Sequence, residues 1–325
     1  MQVSPHVQAV QVPDDNPMHP LYTNIFLVGD GPVMAIDSGE SQDRYKWMLR
    51  GYLAATGRDQ IDLVAITHHH FDHSGNLKWS AETLGSAIVL PQASVKFLRG
   101  KLPPAEQLRF VDDGEVIALG GAEVRVLFTP GHTPDSVCYY LEQEGVLFTG
   151  DTFLGGSTTT VGDLAAYRQS LRMLAELPNL QVICPGHGPL VREPRERLLE
   201  LLRHRETRDQ QIIGVLQAGR SMSAWDIMLK VYPGLNKRLR RAATGNVTTH
   251  LKALQDIGRV NVHAGKPRPA DPAKAKQAAD RAKYRVGVIK EAEKLQKVQR
   301  QAQLRAQETA PTAQWITPPK YELLD

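Results

Sequence analysis

Residues 68–73 read His-His-His-Phe-Asp-His, four imidazoles and a carboxylate within one short stretch. Neutral imidazole and carboxylate are the donors that a borderline cation such as zinc accepts. On extended backbone alternate side chains share a side, which sets His68 and His70 together and turns His69 away. Taken alone, the cluster also fits a His-rich surface loop. Three further segments speak against that. His132 follows Thr129-Pro130-Gly131, Asp151 follows Gly150, and His187 follows Pro185-Gly186. Short ligand-competent side chains on tight turns at rigid strand ends are well placed to hold a metal.

The elements that must position these residues are legible in the hydrophobic pattern. The apolar run 61–66, with β-branched Val64 and Ile66, predicts a buried strand ending where the histidines begin. Residues 21–37 predict two strands around Gly29-Asp30-Gly31-Pro32, and 43–55 a helix stopped by Gly57. A short helix over 76–84 and a strand over 87–90 follow. Further strands are expected within 116–128, at 137–141 and 146–149, then a helix over 164–177 and a strand over 181–184. Strands and helices in two successive passes suggest two sheets flanked by helices. Cys138 and Cys184 sit in apolar strands and read as core.

Composition narrows the class. The chain has 325 residues, 42% hydrophobic and 23% charged, which suits a soluble globular protein of more than one domain. Its longest apolar runs are too short to cross a bilayer, so no membrane role is expected. The N-terminus lacks the pattern of a secretory or transit peptide, and two cysteines make no disulfide framework; a cytoplasmic location is expected. From Ala264 onward 13 Lys/Arg face 7 Asp/Glu, a local +6 in a chain of net +4, so the body carries −2. A basic tail says little about what the body binds.

The order and spacing of the donors, His68-x-His70-x-Asp72-His73 followed by His132, Asp151 and His187, resemble the metallo-β-lactamase superfamily over roughly residues 20–190. The resemblance implies an α/β fold, a four-layer αββα sandwich with metals at the sheet edge. It also implies that His68, His70 and His132 hold one metal, that Asp72, His73 and His187 hold a second, and that Asp151 bridges them. Asp72 is then also catalytic, in that its loss should abolish hydrolysis. The cofactor implied is two Zn2+, with Fe or Mn as alternatives. His69 reads as a non-ligand. Two metals in such a site lower the pKa of a shared water and polarise the bond under attack. Neither a Gly-x-Ser-x-Gly motif nor a phosphate-binding Gly-x-x-x-x-Gly-Lys motif competes with this reading. Thr133, Asp135 and Ser136 either orient a ligand, touch substrate or satisfy their own turn. The loop 155–160, with Thr158 and Thr159, either lines the substrate opening or is plain surface.

Beyond His187 the pattern turns helical. Helices over 194–217, from Ser223 to Tyr232 and over 246–257, then a strand over 259–263, have the shape of a winged helix. We therefore expect a catalytic domain at 1–193, a small helical winged-helix domain at 194–264 and a basic tail at 265–325, partly helical or disordered. This order resembles the β-lactamase-like protein 2 family, whose members include an endoribonuclease acting on single-stranded RNA. Ser136 departs from that family's pattern, which commonly has His there. Lys237, Arg238, Arg240 and Arg241 read either as phosphate contacts or as a solvated helix face. The expected activity is binuclear metal-dependent hydrolysis, of single-stranded RNA or of a small-molecule ester, thioester or lactam as in the glyoxalase II branch. A nucleic-acid-binding protein with a vestigial metal site is the remote alternative. Homo-oligomer formation stays open.

Overall fold

In the computed structural model, residues 1–13, 21–156, 158–217, 221–267 and 314–324 are described. Alternating apolar residues build a first sheet of seven strands in sequence order: β1 (Gln2–Ser4), β2 (Val7–Pro13), β3 (Tyr22–Val28), β4 (Met34–Ile36), β5 (Leu63–Ala65), β6 (Ala87–Leu90) and β7 (Leu108–Phe110). Pairing is antiparallel as far as β4 and parallel from β4 to β7. A second sheet holds β8 (Val116–Ala118), β9 (Glu123–Phe128), β10 (Val137–Leu141), β11 (Val146–Gly150) and β12 (Val182–Pro185), in the order β12-β11-β10-β9-β8. Only β11 and β12 run parallel there.

One core cluster joins residues of both sheets, among them Phe26, Met34 and Ile36 from the first and Tyr139, Phe148 and Cys184 from the second. Alternation gives the first sheet another apolar face, where Ile25, Leu27, Val64 and Ile88 meet helices α1 (Asp43–Ala55) and α3 (Leu77–Leu84). Tyr45, Leu49 and Leu53 lie four residues apart on α1 and are buried, each contributing roughly 1.5–3 kcal/mol. Between α1 and α3 sits the four-residue α2 (Phe71–Ser74), and α3 ends where Gly85 takes φ +70°. Helix α4 (Leu164–Ala175) starts on Asp163, whose carboxylate caps Ala166 N–H, and buries Leu164, Tyr167, Leu171 and Leu174. The Tyr167 hydroxyl donates to Thr152 O and that of Ser170 to Pro130 O, tying α4 to loops after β11 and β9. This is the expected αββα sandwich.

The chain divides into two compact units, Met1–His204 and Arg205–Asp325. The division falls inside α5 (Pro194–Leu216). In the second unit β13 (Met222–Ser223), α6 (Ala224–Val231), α7 (Arg240–Asp256) and β14 (Val260–His263) are followed by β15 (Lys266–Pro267), β16 (Trp315–Thr317) and β17 (Lys320–Leu323). Ser223 caps α6 through Asp226 N–H, as its capping-box sequence predicts.

Two expectations need correction here. Helix α7 begins at Arg240 and not at 246. Ala243, Val247, Leu251 and Leu254 share its buried face, and that packing carries the helix through Gly245. Arg240 and Arg241 thus belong to its first turn, while Lys237 and Arg238 form a 3-10 turn before it. The end of the expected tail is also structured: β17 lies between β13 and β14, antiparallel to both, and Tyr321 joins the unit's apolar core. The rest of the expected tail, 268–313, lies outside the described residues. Strands β1, β2 and β7, which the hydrophobic pattern did not single out, complete the first sheet. Among the described residues no helix is long and apolar enough to cross a membrane.

Candidate metal centre

Parallel pairing brings strand ends together. Strands β4 and β5 end side by side and deliver Asp37 and the 67–73 segment, while β11 and β12 deliver Asp151 and His187. Gly186 N–H donates to Gly150 O, and Val137 N–H donates to Thr67 O, so the four loops lie against one another. Gly186 is needed for this approach, because a Cβ there would stand 2.6 Å from His73 Cε1 and 3.0 Å from Asp151 Oδ1.

The donors fall into two groups, His68, His70, His132 and Asp151 in one and Asp72, His73 and His187 in the other, with the donor atoms of each within 4.8 Å of one another. In the first, His70 Nδ1 is 2.9 Å from His68 Nε2 and 3.2 Å from His132 Nε2. In the second, His73 Nε2 is 3.2 Å from His187 Nε2, which lies 3.3 Å from Asp72 Oδ2. Asp151 reaches both: Oδ2 is 3.7 Å from His132 Nε2, and Oδ1 is 3.3 Å from His73 Nε2 and 3.4 Å from His187 Nε2. All seven residues expected from the sequence are therefore brought together.

The far side of four of the five imidazoles is held. Thr67 Oγ1–H donates to Asp37 Oδ2 at 2.9 Å, so its oxygen accepts from His68 Nδ1–H at 3.1 Å. His73 Nδ1–H donates to Asp37 Oδ2 at 2.7 Å, and His132 Nδ1–H to the Thr160 carbonyl at 2.7 Å. Thr23 Oγ1 is 3.1 Å from His187 Nδ1. Because a carboxylate or carbonyl only accepts, the Nδ1 protons of His68, His73 and His132 face outward and their Nε2 atoms are aimed into the site. His70 presents Nδ1 instead, and is half-buried where the other six are buried.

Electrostatics separate the groups. Burial, then the neighbouring histidine cations, hold His68 well below the usual imidazole range. His70 is lowered to about 4, by burial first and His132 next. His132 is lowered by burial, against the pull of Asp151. Burial also opposes protonation of His73, but Asp37, Asp151 and Asp72 together raise it well above its ordinary value. Asp151 resists the upward push of burial because His187 and His73 hold it far below the carboxylate range.

These residues fit metal ions. Tetrahedral coordination at a Zn–N length near 2.0 Å sets ligand nitrogens about 3.3 Å apart, the spacing seen in both groups. Asp151 Oδ1 is buried, has no well-aligned hydrogen bond, and faces two imidazole nitrogens at 3.3 and 3.4 Å. A buried carboxylate oxygen in that state calls for a cation.

The three residues expected to touch substrate separate. Ser136 is buried and its hydroxyl meets Thr133 N–H at 3.1 Å and Thr133 Oγ1 at 2.7 Å, closing its own turn. Thr159 is buried with Oγ1 2.9 Å from His132 Nδ1. Thr158 is exposed. Ser136 and Thr159 thus serve the loops around His132. The residue that sequence reasoning missed is Asp37, buried at φ +66° and bonded to both Thr67 and His73. An acidic residue closing an apolar strand before Ser38-Gly39 was the available signal, the same pattern that marks Asp151.

Residues 19–187 match the metallo-β-lactamase superfamily, and residues 223–266 match the β-lactamase-associated winged helix domain. The chain is 35% identical over 234 residues to the β-lactamase-like protein 2 homolog of Caenorhabditis elegans, covering 71% of this chain and 78% of the relative. It is 32% identical to an atrochrysone carboxyl ACP thioesterase of Aspergillus fumigatus, covering 66% of each. Among solved structures, a metallo-β-lactamase family protein from Thermus thermophilus superposes with TM-score 0.67 at 26% identity, covering 80% of this chain and 97% of that one.

Proposed function

Because this chain belongs to the metallo-β-lactamase superfamily and carries that family's associated winged helix, we propose that it is a two-zinc hydrolase of small-molecule esters or thioesters. One observation carries this reading: the Asp151 carboxylate reaches one donor group with each oxygen. His68, His70 and His132 would hold the first ion, Asp72, His73 and His187 the second, and Asp151 both. Two such ions, when bound, would supply a lowered pKa for water and polarisation of the bond under attack.

The chain's own residues do the rest. Asp37 keeps a proton on His73 Nδ1, and the Thr160 carbonyl keeps one on His132 Nδ1, so each ring offers Nε2 inward. Burial of six donors excludes bulk water and strengthens every charge interaction within. The half-buried His70 marks the side from which substrate approaches. The name of the fungal thioesterase supports an acyl substrate. The basic residues at 237–241 are the feature that favours a phosphodiester instead.

The test is hydrolysis by chelator-stripped protein reconstituted with Zn2+, Mn2+ or Fe2+, on a panel of acyl esters and thioesters and on a single-stranded RNA oligonucleotide. Metal-dependent acyl cleavage is expected, lost in Asp72→Ala and His187→Ala. If RNA is cut in a metal-dependent way while every acyl substrate stays intact, the acyl reading fails.

A further inference from the structure

His69 lies between two members of the first group but belongs to neither group. Its ring stacks on Phe97, with centroids 4.2 Å apart and planes 16° apart. Its Nδ1 is 2.7 Å from Asp135 Oδ1, and the Ser94 hydroxyl donates to Asp135 Oδ2 at 2.7 Å. The Asp135 side chain is 0% exposed. Burial pushes its pKa up, yet hydrogen bonds from His69, Ser94 and Thr133 bring it below the usual range, so it is an ionised acceptor and Nδ1 of His69 is the donor.

Asp135 stands three residues after His132, and although it also accepts from Thr133, other bonds close the turn. Thr133 and Ser136 already close it through Ser136 Oγ, and Gly131 N–H donates to Thr133 O. Burying an ionised group is costly unless its bonds offset the lost hydration. What those bonds do is join chain segments. The bond to His69 links the 68–70 segment to the His132 turn, the two segments that supply all three imidazoles of the first group, and Ser94 braces that link from the turn after β6. The second group is held by other partners, Asp37 on His73 and Thr23 on His187.

We infer that His69 and Asp135 are a positioning pair whose bond sets the separation of the His68/His70 arm from the His132 arm, and with it the affinity and geometry of the first metal group alone. The inference rests on the two-metal reading given above.

Cobalt(II) titration followed by its visible absorption band tests it in two backgrounds. His187→Ala disables the second group and reports on the first, while His70→Ala does the reverse. In the His187→Ala background, Asp135→Ala and His69→Phe should weaken cobalt binding by about 10–100-fold and shift the band. Phe at 69 keeps the stack on Phe97 and removes only the bond. Asp135→Asn should restore near-parental binding, because its Oδ1 still accepts from His69 and its amide can donate to Ser94. In the His70→Ala background none of the three should change cobalt affinity. An unchanged first group, or equal losses in both backgrounds, would overturn the inference. Should the unsubstituted protein bind fewer than two ions per chain, the two-metal reading itself falls, a result distinct from either of those.

Discussion

Asp37 holds His73 across the first sheet: its Oδ2 accepts the Nδ1 proton of His73 at 2.7 Å, while its Oδ1 accepts Thr67 N–H at 2.7 Å. One carboxylate thereby orients a ring of the second group directly and a ring of the first, His68, through the Thr67 hydroxyl. Such relays fix which nitrogen of each ring faces the metal.

Asp37→Ala should therefore lower metal content at both groups, by about 10–100-fold in affinity and most strongly at the second. It should also destabilise the first unit by about 3–5 kcal/mol, since buried Thr67 N–H and His73 lose their acceptor. Metal analysis after dialysis and denaturant unfolding read the two effects. Retention of two metals at wild-type affinity would show that Asp37 is not an orienting residue.

Metal uptake should depend on pH differently at the two groups. In the metal-free protein, burial keeps His68 and His132 low, and burial with His132 brings His70 to about 4, so these rings are neutral, with one N–H each, at neutral pH. His73 is held the other way by Asp37, Asp151 and Asp72, against burial, so it binds a proton that a metal must displace. Affinity at the second group should thus rise with pH through the neutral range while affinity at the first stays nearly flat. Cobalt titrations between about pH 6 and 8, with proton release measured, check this. Identical slopes for both groups would contradict it.

Burial pushes the Cys138 thiol up to about 12 and raises that of Cys184 further. Thiolate is the reactive form, so neither should be alkylated in the native protein near pH 8. Iodoacetamide labelling followed by mass spectrometry should find both modified only after unfolding. Fast labelling of either in the native state would place it outside the core.

Tyr321 on β17 packs in the core of the second unit. Tyr321→Ala should cost about 3–5 kcal/mol there, in the range of other large aromatic truncations. Thermal unfolding should show an earlier transition for the second unit, with metal content unchanged. A variant unfolding like the parent would mean that β17 adds little to this sheet.

The seven metal-competent donors and the order of sandwich and winged helix could be read from the sequence alone, because both are local signals. The donors lie in segments that follow apolar strands, and helices α1, α3, α4 and α6 announce themselves by spacing and caps. Tertiary structure decided what depends on distant pairing. Asp37 gains its role only because β4 pairs with β5 and sets it beside Thr67, thirty residues on. His69 meets Asp135 across 66 residues, and β17 reaches its place between β13 and β14 from the far end of the expected tail. Side-chain period and turn chemistry report a residue's immediate neighbours; which strand lies alongside is settled only when the apolar faces are buried together.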